Sequence, residues 1–157
     1  WAASCTTSAS RLRNPKRSLA NVMKRRLHTG DVTLGRASKT RLGSIAIREK
    51  KYRTRRLTKL RLKFLSSEEV VSIITINSHF TNPEIPEEVV DGILAHEFSH
   101  FVHGFNSMRK KKYRNPHAGG IIANEMKSRG LEEILKIQKR WIRKNWREYL
   151  KNQDLKK

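Results

Sequence analysis

Alternation of hydrophobic and polar residues marks the first half of the chain. Residues 31–36 and 44–48 each alternate and are separated by glycines, which predicts two short strands. Residues 58–65 alternate most clearly, with three apolar residues on one face and three basic residues on the other. This pattern predicts a half-buried strand with a cationic outer face. Residues 70–77 are rich in β-branched side chains and predict a more deeply buried strand.

A helical period replaces the alternation in the second half. Pro86 suits a first helical turn, an apolar stripe follows it to Val102, and Gly104 can end the helix. Residues 106–116 predict a basic loop and 119–127 a short helix. From Leu131, a long amphipathic helix is predicted, with apolar or amide side chains at 134, 135, 138, 141, 142, 145 and 149 and with Trp141 facing inward.

These elements predict an α+β fold in which a small antiparallel or mixed sheet packs on the helix that starts at Pro86. The expected organisation has three parts. Residues 1–30 form a basic arm, residues 31–130 form the domain, and residues 131–157 form a C-terminal helix packed on that domain.

Charge is distributed unevenly along this organisation. The formal net charge is +21. Residues 1–66 hold 19 Lys and Arg and two acids, residues 67–108 hold seven acids and no Lys or Arg, and residues 109–157 hold 16 basic residues and five acids. The basic flanks favour a polyanionic partner, DNA or RNA, while the middle segment uses carboxylates for another purpose.

Composition excludes a membrane-spanning segment and any structure that depends on several cysteines. The longest uncharged stretch, residues 70–83, is too short and too polar to cross a bilayer, so no membrane partner is expected. A single cysteine, Cys5, excludes a disulfide framework and a multi-cysteine zinc ribbon. It predicts a reducing compartment, cytoplasmic or nucleoid-associated, with an organelle matrix as the alternative.

The first thirty residues contain no acid and are rich in Ser, Thr, Arg and Lys. Three interpretations remain open for them: a disordered nucleic-acid-binding arm, the remnant of a transit peptide, or a short basic helix over residues 17–27.

The sequence His96-Glu97-Phe98-Ser99-His100 is an H-E-x-x-H motif on the predicted helix. Residues i and i+4 lie one turn apart on the same helical face, so His96 and His100 can bind one Zn²⁺ ion. Glu97 then projects beside the metal, where it can act as a general base.

A catalytic zinc ion needs a third protein ligand. His117 is the preferred candidate because it follows the basic loop and precedes Ala118-Gly119-Gly120, which lets the chain fold back. Glu125 is the alternative, since it would complete a His-His-Glu site. His103 shares the helical face but lies about 10 Å along the axis from His96. It is therefore expected to line the cleft or to hydrogen-bond a partner.

The motif and its surroundings resemble the SprT-like zinc metallopeptidase family, including its YgjP-like branch. The resemblance covers residues 31–130 and is carried by the strand at 73–77 and the run from Pro86 to Gly104. It implies a downstream histidine as the third ligand, a position that His117 matches, and a substrate class of proteins attached to DNA. The chain departs from the YgjP-like branch because Asn106-Ser107 has no histidine between the two residues.

Two basic patches are candidate nucleic-acid contacts, because such clusters neutralise phosphates without reading sequence. The alternative is a solvated face that keeps the protein soluble. The candidates are Arg53, Arg55, Arg56, Lys59, Arg61 and Lys63 in the first patch, and Arg109, Lys110, Lys111 and Lys112 in the second.

The sequence therefore predicts a metallopeptidase with one Zn²⁺ ion that hydrolyses peptide bonds of proteins on or near nucleic acid. The alternative belongs to another class: a basic RNA- or ribosome-associated protein that uses the peptidase fold as a scaffold. The intact Glu97 favours the enzyme, and the extreme positive charge favours the scaffold.

Overall fold

The computed structural model describes residues 31–51, 57–66 and 68–155. One mixed sheet contains strands β1 (Asp31–Gly35), β2 (Gly43–Glu49) and β3 (Val70–Asn77). Strand β3 is central, pairing in parallel with β1 and antiparallel with β2. In the described part of the chain, four α-helices follow or interrupt the strands: α1 (Lys59–Leu62), α2 (Glu87–Val102), α3 (Ile121–Ser128) and α4 (Glu132–Leu155). The predicted α+β class with a small mixed sheet is confirmed for the described residues.

The main hydrophobic core lies between the sheet and α2. Strand β3 contributes Ile74 and Ile76, which are 2% and 3% exposed, and α2 contributes Val89, Ile93 and Phe98. The β-branched run of β3 thus forms the buried central strand that its composition predicted. No helix in the described ranges is both long enough and apolar enough to cross a membrane.

The strand predicted over residues 58–65 is wrong. Thr58 accepts a hydrogen bond from the backbone N–H of Arg61 and caps the single helical turn α1. The apolar residues Leu60 and Phe64 are 68% and 81% exposed, so they form no half-buried face. The Arg61 guanidinium donates to both carboxylate oxygens of Glu49, at 2.9 and 3.0 Å. The cap and this ion pair stabilise a helical turn. None of the described strands pairs with residues 58–65.

Helix α4 packs closely on α2 at a glycine. A Cβ at Gly92 would lie 2.7 Å from the Cβ of Gln138, so only glycine allows this approach. Further along α4, Trp146 stacks on Phe80 with ring centroids 5.1 Å apart, and its indole N–H donates to the Lys39 carbonyl at 2.9 Å. Helix α4 therefore completes the core.

The helical period assigned one core position of α4 incorrectly. Asn145 was expected on the buried face, but it is exposed, and its neighbour Trp146 is buried. Trp141 packs against the edge of the core, with its ring centroid 6.4 Å from that of Trp146. The aromatic cluster around Phe80 selects Trp146 because its large ring fills more of the core than an amide does.

Two expected features lie outside the described residues: the basic arm at residues 1–30 with its possible helix at 17–27, and the patch residues Arg53, Arg55 and Arg56. The side chain of Lys59 is likewise outside the described part of the chain.

Candidate metal centre

Helix α2 brings the two motif histidines together. The Nε2 atoms of His96 and His100 are 3.2 Å apart, and the ring centroids are 4.9 Å apart. This proximity follows from the one-turn separation of residues i and i+4. His100 is buried and His96 is partly exposed, so the pair lies at the wall of a cavity.

His117 reaches the same point from the loop after α2. Its ring centroid lies 4.7 Å from that of His100 and 5.4 Å from that of His96. Gly119 and Gly120 follow with φ values of 62° and 69°, a left-handed backbone that side chains other than glycine rarely adopt. These two glycines turn the chain from His117 into α3.

Backbone contacts hold the loop against the end of α2. Gly104 has a φ of 80°, and a Cβ at this position would lie 2.6 Å from the carbonyl oxygen of Lys110. The N–H of Lys112 donates to the His103 carbonyl at 3.0 Å, and the N–H of Phe105 donates to the His100 carbonyl at 2.9 Å. The loop that carries His117 is thereby fixed at several points.

The three histidines fit a metal ion. One ring nitrogen of each of His96, His100 and His117 lies within 4.8 Å of the other two. Two nitrogens bound to one tetrahedral zinc ion are about 3.3 Å apart, close to the 3.2 Å between the motif histidines. A hydrogen bond between His96 and His100 would explain that pair alone, but it does not explain the third imidazole.

The protonation of the motif histidines also suits a metal. Burial, followed by the charges of His117 and Lys139, lowers the pKa of His96 to about 4. Burial, followed by the neighbouring histidines, lowers the pKa of His100 to about 4. Both rings are therefore neutral near pH 7, the state in which imidazole binds a metal.

Glu97 lies in the same cavity, which has a volume of about 620 Å³. The residue is 7% exposed, and burial raises the pKa of its carboxyl to about 7. A carboxyl with a pKa near the working pH can both accept and return a proton, as general acid–base catalysis requires. Glu97 and the three histidines therefore form one chemically coherent cluster.

The opposite wall of the cavity comes from the loop before β2 and from the start of β2. It contains Thr40, Arg41, Leu42, Gly43, Ser44 and Ile45. The side-chain amide of Asn77 holds this loop by donating to the carbonyls of Ser38 and Arg41, at 2.6 and 2.7 Å. The buried end of β3 thus positions the wall that faces the motif helix.

Glu125 and His103 form a separate pair outside the histidine cluster. The Nε2 atom of His103 lies 3.0 Å from a carboxylate oxygen of Glu125, and Arg129 binds the other oxygen. Burial tends to raise the pKa of Glu125, but hydrogen bonds from Arg129 and His103 outweigh this and lower it. His103 is 2% exposed and is not among the described residues that line the cavity. Of its two expected roles, the structure shows the hydrogen-bonded one.

The predicted nucleic-acid residues differ in their surroundings. Arg61 binds Glu49 in an ion pair, Arg109 lies over the Phe101 ring at 5.1 Å, and Lys111 lies over the Phe105 ring at 4.9 Å. Lys63, Lys110 and Lys112 are exposed. The second patch is therefore an exposed part of the loop that carries His117, and two of its four members lie over aromatic rings.

Sequence reasoning missed two residues that shape the cavity. Gln138 of α4 lines it, and a helical period does not reveal this because the other residues that line the cavity lie more than 20 residues away along the chain. Gly43 approaches Glu97, and a glycine at the start of a predicted strand is a signal for such a close backbone approach.

No family model matches the chain, and comparisons with curated proteins and with solved structures likewise find no match.

Proposed function

We propose that the chain is a zinc-dependent metallopeptidase of the SprT-like kind that acts on proteins bound to nucleic acid. This proposal is carried by one observation: three clustered histidines and the buried Glu97 line the same open cavity. A purely structural metal site needs no buried acid beside it. The resemblance of the motif run to SprT-like peptidases supports the same reaction class.

His96, His100 and His117 would hold the ion. Three imidazole nitrogens leave one position of a tetrahedral zinc ion open, which is typical of catalytic rather than structural zinc sites. When bound there, zinc supplies a Lewis acid toward water and toward a peptide carbonyl. Cobalt and nickel accept the same donors, but the H-E-x-x-H motif favours zinc.

Glu97 is the proton carrier of the proposed reaction. Its carboxylate accepts a proton from the attacking water and returns it to the amine that leaves. Helix α2 fixes the side chain directly beside His96, and the backbone at Gly43 restricts its position from the other side. A confined carboxylate needs little reorganisation at the moment of reaction.

The substrate strand is proposed to lie along β2. This strand is at the edge of the described sheet, and its first residues Gly43, Ser44 and Ile45 line the cavity. An extended peptide can add to such an edge through main-chain hydrogen bonds. The scissile bond would then cross the cavity in front of Glu97.

Exchange of Glu97→Gln tests the proposal. The amide keeps the shape of the side chain but cannot take a proton, so peptidase activity on a loosely folded, DNA-binding protein should fall about a hundredfold or more. Metal content should remain at one zinc per chain. The assay is run with and without DNA, and equal cleavage by parent and variant would reveal a contaminating protease.

The second candidate function is an RNA- or ribosome-associated scaffold, which the formal charge of +21 favours. This function requires tight binding to ribosomes at moderate salt and no dependence on Glu97. A zinc-loaded protein that cosediments with ribosomes and cleaves nothing, either as parent or as Glu97→Gln, would decide for the scaffold.

A further inference from the structure

Helix α4 carries a row of basic side chains that the nucleic-acid patches in the sequence do not include. At 100° per residue, its members fall within an arc about 140° wide and extend about 18 Å along the helix. We call this row the α4 basic stripe. It consists of Lys139, Arg140, Arg143, Lys144, Arg147 and Lys151.

All members of the stripe are exposed, and none forms an ion pair with a described residue. The ion pairs of α4 lie nearer its ends instead, where Lys136 contacts Glu132 and Glu133 and where Asp154 contacts Lys39. Glu148 is the only acid between Ile134 and Gln153, and it lies at the border of the stripe. The charge of the stripe is therefore left for an external anion.

The stripe begins beside the candidate metal centre. Gln138, which precedes its first residue, lines the cavity together with His96 and Glu97. Lys139 is the next residue along α4, and it is exposed. From this point the stripe leads away from the cavity along the outside of the molecule.

We propose that the α4 basic stripe binds the phosphate backbone of a nucleic acid and so holds the nucleic acid next to the cavity. The second half of this statement rests on the proposed function, whereas the first half does not. A protein attached to the bound nucleic acid would then be presented to the cleft.

The shape and chemistry of the stripe favour a nucleic acid over an acidic protein. A duplex carries one charge per about 1.7 Å of its axis, so an 18 Å stripe faces a length that bears about ten phosphates. Protein interfaces have a core that is depleted in charge and enriched in aromatic residues. Within the arc of the stripe, Leu150 is the only apolar residue, and it is partly buried.

The experiment compares two fourfold glutamine variants of the full chain. One carries R140Q, R143Q, K144Q and R147Q in the stripe. The matched control carries R36Q, K50Q, R114Q and K127Q, which remove the same charge from exposed positions outside α4. Glutamine is a good helix former, so α4 is retained. Binding to a short DNA duplex and to an RNA of the same sequence is measured over a series of salt concentrations.

The stripe variant should lose at least about tenfold in affinity, and the slope of log K against log salt should fall by about 3 to 4. The control should lose less than about threefold. Equal losses in the two variants would overturn the proposal in favour of diffuse charge. Competition by polyglutamate as strong as by DNA would overturn it in favour of an acidic protein partner.

Two further measurements keep the test independent of folding and of catalysis. The paired variants R140Q/R143Q and K144Q/R147Q should each give about half of the change in slope, even if the fourfold variant folds poorly. A benzophenone photo-crosslinker at position 143 should label DNA, and one at position 145 should not, because Asn145 is exposed on the other side of α4. Equal crosslinking at the two positions would overturn the proposal. Labelling at position 143 alone in a protein without peptidase activity would support the stripe and count only against the proposed function.

Discussion

The backbone of Gly43 lies directly against the side chain of Glu97. A Cβ on Gly43 would be 3.0 Å from Oε1 of Glu97 and 3.0 Å from Cγ2 of Ile93, both tighter than ordinary contact. Strand β2 and helix α2 therefore meet at the carboxyl that we propose as the general base. The position of this carboxyl depends on the absence of a side chain at residue 43.

The exchange Gly43→Ala should reduce peptidase activity at least about tenfold while zinc content stays at one per chain. The added methyl group pushes the Glu97 carboxylate, and a misplaced base loses much of its rate advantage. A double-mutant cycle checks the cause. In the Glu97→Gln background, Gly43→Ala should cost little further activity, and a full additional loss would show that it acts elsewhere.

Metal content should depend on His117 and not on Glu125. His117→Ala removes one of three ligands and should lower zinc affinity by at least about tenfold. Glu125→Gln keeps the side-chain shape and leaves the three histidines unchanged, so the zinc content of this variant should equal that of the parent. Elemental analysis after dialysis against a weak chelator measures both. Zinc loss in Glu125→Gln with retention in His117→Ala would reverse the ligand assignment.

The stability of the metal-free protein should report the buried Glu97 carboxyl. Because burial raises its pKa to about 7 from 4.5, the folded state holds the proton more tightly than the unfolded state. This contribution is fully present below pH 4.5 and is lost as the pH rises through 7. Glu97→Gln has no such loss, so its stability relative to the parent should rise by up to about 3 kcal/mol over this window.

Urea denaturation of the chelator-treated parent and Glu97→Gln between pH 4.5 and 8 measures this difference. The lowered pKa values of His96 and His100 act in the opposite direction, and their contribution is lost as the pH falls from 6.5 toward 4. Their effect is common to both proteins and cancels in the comparison. A difference in stability that does not change with pH would mean that Glu97 is ionised at little cost.

Arg61 should matter for stability rather than for nucleic-acid binding. Its guanidinium forms two hydrogen bonds with Glu49, which is 8% exposed, so Arg61→Gln should cost about 1 to 2 kcal/mol of unfolding free energy. In a Glu49→Gln background the same exchange should cost less. Lys63→Gln, an exposed neighbour, serves as the control and should leave stability unchanged within about 0.5 kcal/mol.

The local sequence pattern was sufficient to predict an element whose buried face consists of apolar residues. The β-branched run of β3 and the apolar stripe of α2 predicted their strand and helix, and the i, i+4 spacing predicted that His96 and His100 share a face. The strand expected over residues 58–65 does not form. An alternation over so few residues does not distinguish a strand from a capped helical turn. Thr58 and Glu49 decide the outcome, and only one of them is local.

The parts of the site that the sequence did not reveal depend on long-range packing. The approach of Gln138 to Gly92 sets where α4 crosses α2, and this crossing adds α4 to the cavity wall. It also turns the α4 basic stripe outward, a feature that the apolar period of α4 does not display. The preference for His117 could be reached from the loop and the Gly-Gly sequence, but its distance from the motif required the folded chain.

The bond from Trp146 to the Lys39 carbonyl spans 107 residues, and the ion pair between Lys39 and Asp154 spans 115. A polypeptide is synthesised from its amino end, so the sheet and α2 leave the ribosome well before the helix that covers them. Until α4 emerges, the apolar surface around Phe80 stays open and Gln138 is absent from the cavity. A nascent chain therefore gains its completed cavity only after α4 has been synthesised.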